Sequence, residues 1–69
     1  MSQDVRNILA KNVEKLRVRQ QLKREELSLI LGFDNSYISK LEKSRINITL
    51  DRLEKISKFF DIEIYELLK

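Results

Sequence analysis

Apolar residues fall along this chain in short helical stripes separated by polar breaks. Val5, Ile8, Leu9, Val13 and Leu16 recur at intervals of three and four, which predicts an amphipathic helix from about Ser2 to Gln20. Ser2 is placed to cap it, and Asp4 falls in the first turn, where the helix dipole favours an anion. After a polar break at Gln20-Gln21, Leu22 is expected to tuck into the core. Leu27 and Leu31 share one face of a second helix, about Arg24 to Leu31. A third helix starts after Asp34, a good N-cap residue, and carries Ile38 and Leu41 inward. Between them Gly32 can take the positive φ that ends a helix, leaving a connection of about three residues. Helices joined so tightly cross rather than lie side by side, so residues 24–44 read as a helix-turn-helix.

The pattern continues after an irregular connection, Arg45-Ile46-Asn47-Ile48. Thr49 caps a fourth helix with Asp51 in its first turn, and Leu50, Leu53, Ile56, Ser57 and Phe60 trace its inward face. Asp61 reads as a break and cap for a last helix, about Ile62 to Leu68. Its Ile62, Ile64, Tyr65, Leu67 and Leu68 exceed what one buried stripe on so short a helix can hold. Five helices with short connections predict one all-α domain spanning residues 1–69.

Composition narrows the chemistry. One glycine and no proline serve strand-and-turn architectures poorly. There is no cysteine and no histidine, so thiolate or imidazole metal ligands and the usual general base are missing. The carboxylates show no ligand-like spacing. No enzyme activity, metal, cofactor or small-molecule substrate is expected. Fourteen Lys and Arg against eleven Asp and Glu give a net charge of +3, compatible with a polyanionic partner without demanding one. The start Met-Ser-Gln-Asp-Val-Arg lacks the apolar core of a signal peptide, and no apolar run approaches the roughly 20 residues of a membrane span. A cytoplasmic, soluble protein without membrane contact is expected.

Taken in order, these residues resemble the Cro/C1-type (Xre-like) helix-turn-helix family of phage repressors and small bacterial regulators. The resemblance is carried by Leu16-Arg17, Glu25-Glu26-Leu27, Leu31-Gly32, Ser36-Tyr37-Ile38-Ser39 and Leu41-Glu42. Asn47, Thr49-Leu50, Leu53 and the ending Ile64-Tyr65-Glu66-Leu67-Leu68 extend it over nearly the whole chain. The Arg-Ile-Asn-Ile-Thr-Leu connection resembles that of restriction–modification controller proteins. The resemblance implies a compact five-helix, lambda-repressor-like DNA-binding domain. Departures stand at Lys23 and Arg24, where the family has Ser or Thr and then Gln. Ser28 stands for a small Ala, and Gln21 and Ser44 stand for glycines.

In that setting a recognition helix at about Asn35–Lys43 enters the major groove of double-stranded DNA. With Ile38 and Leu41 inward, Asn35, Ser36, Ser39 and Lys40 are the candidate base contacts. Asn suits adenine, Lys suits guanine O6 and N7, and Ser serves either. Lys23, Arg24, Tyr37, Lys43, Arg45 and Asn47 are the candidate phosphate contacts. The family's pairing of a Glu at the end of the recognition helix with an Arg of the first helix implies a salt bridge between Glu42 and Arg17. Phe59, Ile62, Ile64, Tyr65 and Leu68 form a candidate interface for a homodimer on a pseudo-palindromic operator. The alternative is an antitoxin or other protein-interaction module, for which the apolar Leu29-Ile30-Phe33 patch is the only sequence support.

Overall fold

The computed structural model describes residues 4–69. It contains five helices: α1 (Val5–Arg19), α2 (Arg24–Ile30), α3 (Tyr37–Glu42), α4 (Leu50–Phe59) and α5 (Ile64–Leu67). No strand occurs among the described residues. The expected Ser2 cap lies outside them. Asp4 is not in the first turn of α1 but is its N-cap, accepting the Arg6 backbone N–H at 2.9 Å. That bond, followed by the Arg6 side chain, holds the Asp4 carboxyl below the usual aspartate range.

Side chains from all five helices meet in one core. Leu9, Val13, Leu27, Ile38, Leu41, Ile56 and Leu67 are at most 2 % exposed, and Leu31, Phe33, Tyr37, Leu53 and Phe60 complete the buried cluster. Leu16 and Leu22 pack against it at the rim. Two residues of the expected stripes lie elsewhere. Val5 is 52 % and Leu50 78 % exposed. Each is the first residue of its helix, and a helical side chain leans over the turn preceding its own Cα. No such turn exists at Val5 or Leu50 for the side chain to cover.

Helices α1 to α4 end in the same way. In each, the residue after the cap is left-handed: Gln21 (φ 59°), Gly32 (78°), Ser44 (59°) and Asp61 (58°). The next backbone N–H then reaches back to the helix, from Leu22 to Arg17 O, Phe33 to Ser28 O, Arg45 to Lys40 O and Ile62 to Ser57 O. This is the Schellman stop, and Leu22, Phe33 and Ile62 supply the apolar residue that packs behind it. Only Gly32 adopts the conformation without steric cost. Asp61 is therefore a stop and not a cap. α5 begins two residues later than expected, with Glu63 as N-cap and the Glu66 carboxylate accepting the Glu63 N–H at 3.0 Å.

Candidate nucleic-acid interface

The connection between α2 and α3 sets the exposed surface of the motif. Asp34 does not cap α3 directly. Its carboxylate accepts from the Ser36 backbone N–H and hydroxyl, and its carbonyl accepts from the Tyr37 N–H, forming a turn through Asn35 and Ser36. The helix proper starts at Tyr37, with Ser36 as its N-cap residue. The hydroxyl bond from Ser36, and then the backbone one, lowers the Asp34 pKa from its ordinary value.

The first turn of α3 is satisfied from outside its own segment. Ser28, fully buried in α2, accepts the Ile38 backbone N–H through its hydroxyl at 3.0 Å. One of the four orphan donors of a helix start is thus met by the preceding helix. Nothing in the sequence pattern singles out Ser28 for this task, since its position shows only a small residue facing inward.

At its other end, α3 is tied to α1. Arg17 Nε donates to Glu42 Oε2 at 2.7 Å and Arg17 Nη2 to Oε1 at 3.2 Å, with the two side chains 10 % and 4 % exposed. Arg17 Nη1 also donates to the Leu22 carbonyl at 2.7 Å, so the buried guanidinium is bonded on all three nitrogens. Arg24 joins the pair, donating from Nε to Glu42 Oε1 at 2.9 Å. This contact at the start of α2 was not legible in the sequence.

Held at both ends, α3 buries Ile38 and Leu41; Lys40 on the helix and Asn35 in the turn before it are exposed, and Ser36 and Ser39 are half-buried. Asn35, Ser36 and Ser39 share an open depression with Lys23 and Arg24 at the facing ends of α2 and α3. Lys40 lies outside its wall. Lys43 and Arg45 are exposed at the far end of α3. Asn47 is exposed and accepts from Arg6 Nη1 at 3.1 Å, which brings a further cation to this edge. Tyr37 is 9 % exposed. Its ring packs on Phe33, with centroids 4.7 Å apart, under the Arg52 guanidinium.

One expectation, the apolar patch, is corrected by burial. Phe33 is 8 % exposed, while Leu29 and Ile30 are 66 % and 55 % exposed, so the three do not form one surface patch. Phe59, Ile62, Ile64 and Leu68 pack partly against the core, whereas Tyr65 is 64 % exposed.

Two short helices around a glycine turn, the second presenting polar side chains outward, define a helix-turn-helix protein. A helix-turn-helix family model matches residues 13–67. The chain belongs to the Cro/C1-type helix-turn-helix family. A hypothetical transcription factor of Neisseria meningitidis serogroup B is 38 % identical over 66 residues, covering 96 % of this chain and 62 % of that protein. The chain thus spans under two thirds of that relative's length. The crystal structure of a hypothetical transcription factor from Neisseria matches with a TM-score of 0.90 at 36 % identity, covering 96 % of this chain and 76 % of the other. The restriction-modification controller protein C.AhdI from Aeromonas hydrophila matches with a TM-score of 0.81 at 29 % identity, covering 90 % and 94 % of the two chains. No helix among the described residues is long and apolar enough to cross a membrane.

Proposed function

We propose that the chain is a sequence-specific regulator of transcription that binds double-stranded DNA as a homodimer, with α3 in the major groove. The observation that carries this reading is the set Asn35 and Ser36 in the turn before α3 and Ser39 and Lys40 on α3, a helix fixed to α1 and α2. Each of these side chains can hydrogen-bond a base edge, and fixed geometry is what base readout requires. Lys23, Lys43, Arg45 and Asn47, with the Tyr37 hydroxyl, contact flanking phosphates, and Arg6 joins them through Asn47. Similarity to C.AhdI favours control of restriction–modification genes as the biological setting.

A two-fold dimer through Phe59, Ile62, Ile64, Tyr65 and Leu68 places two recognition helices roughly 34 Å apart, one DNA turn, on a pseudo-palindromic operator. Sedimentation at micromolar concentration tests the assembly: a dimer is expected, reduced to monomer by Tyr65→Lys with Ile64→Asp. A wild-type monomer contradicts it. Titration of DNA at several salt concentrations tests the electrostatics, since each neutralised phosphate contributes about −0.9 to the slope of log K against log salt. Equal affinity at low and high salt excludes the phosphate contacts.

A further inference from the structure

Arg24 stands apart from the other cations of this surface. It opens α2 where the family places glutamine, and its side chain is 48 % exposed yet held at one point. That point is Glu42 Oε1, which accepts from Arg24 Nε. The charge of Glu42 is already matched by Arg17, which bonds both carboxylate oxygens and spends its remaining nitrogen on the Leu22 carbonyl. Arg24 is therefore the surplus cation of a three-residue cluster. Its Nη1 and Nη2 have no hydrogen-bond partner among the described residues. It lines the depression that also holds Asn35, Ser36 and Ser39.

Resting on the DNA-binding reading above, we propose that Arg24 is a specificity-determining residue that reads a guanine in each half-site. The Nε bond to Glu42 removes rotamer freedom and leaves the two terminal nitrogens as a fork matching guanine O6 and N7. Arg24 lines one depression with Asn35, Ser36 and Ser39, three of the four candidate base contacts, which sets its free fork beside the groups proposed to read base edges. This moves Arg24 from the group of phosphate contacts to the group that reads sequence. Glu42 becomes the residue that positions it.

The test compares wild-type protein with R24Q and R24K by selecting bound DNA from a random pool, then measuring affinity against salt on the selected site and its single-base variants. Thermal melting checks that each variant is folded, as expected for a half-exposed position. The wild type is expected to discriminate about tenfold or more for guanine at one half-site position. Both variants are expected to lose that preference, with the salt slope of R24K unchanged. Uniform weakening of R24Q on all sequences, with a slope smaller by about 0.9 per contact and R24K behaving as wild type, makes Arg24 a phosphate contact and overturns the proposal. Unaltered selectivity in R24Q overturns it too. A wild type that enriches no sequence refutes the DNA-reading function itself, a result distinct from either.

Discussion

Arg17 and Glu42 meet at 2.7 Å between the first and third helices, with almost no solvent on either side chain. The pair costs desolvation, and its main consequence is positional: it fixes the end of α3 against α1. Arg17→Met leaves Glu42 with Arg24 alone and is expected to cost about 3–5 kcal/mol in urea unfolding, with weaker operator binding. Unchanged stability and binding would remove the pair from the account. Replacing both Arg17 and Glu42 by apolar residues is expected to cost much less stability than Arg17→Met and, unlike it, frees Arg24.

Ser28 does the corresponding work at the start of α3. Ser28→Ala leaves the buried Ile38 N–H without an acceptor, an expected loss of about 1–3 kcal/mol. The urea midpoint should fall with the m-value unchanged, since the same surface is exposed on unfolding.

How far the sequence reveals such features depends on whether they are periodic. Leu27, Leu31, Ile38 and Leu41 repeat at helical spacing, and their burial follows from that spacing. Val5 and Leu50 obey the same period but sit at helix starts, and the period does not say where the first turn begins. The Arg17–Glu42 pair was implied by the family resemblance alone. Ser28 with Ile38, Arg24 with Glu42 and Arg6 with Asn47 join segments distant in sequence, and no local pattern encodes them. Asp34 was legible as a capping residue, but its side chain stabilises a turn before α3 instead of the helix itself.

The left-handed stops give a prediction of opposite sign. Ser44 and Gln21 hold φ near +59°, where a Cβ meets the following carbonyl at a cost of about 1–2 kcal/mol. Glycine relieves this strain but makes the unfolded chain more flexible, leaving a net gain of about 0.5–1 kcal/mol for Ser44→Gly or Gln21→Gly. Each melting temperature is expected to rise by several degrees in the absence of DNA. A fall would show that the serine or glutamine side chain contributes more than its strain.

Acid should weaken the fold in part through Asp4 and Asp34. Both carboxyls have folded-state pKa values below their ordinary ones, lowered by the hydrogen bonds they accept. Their contribution is present above the ordinary aspartate pKa of about 3.9 and is lost as pH falls through the lowered folded values. Asp34→Ala is expected to lower the melting temperature at neutral pH, with the difference from wild type vanishing in strong acid. An equal difference at both extremes would mean that the charge of Asp34 is irrelevant to the turn.

The central claim is that a fixed α3 reads DNA sequence as one half of a symmetric pair. Selection of bound duplexes from a random pool by the wild-type protein tests it most directly. The expected product is a pseudo-palindrome whose half-sites lie about one helical turn apart. Recovery of unrelated sequences, bound with equal affinity, would contradict it.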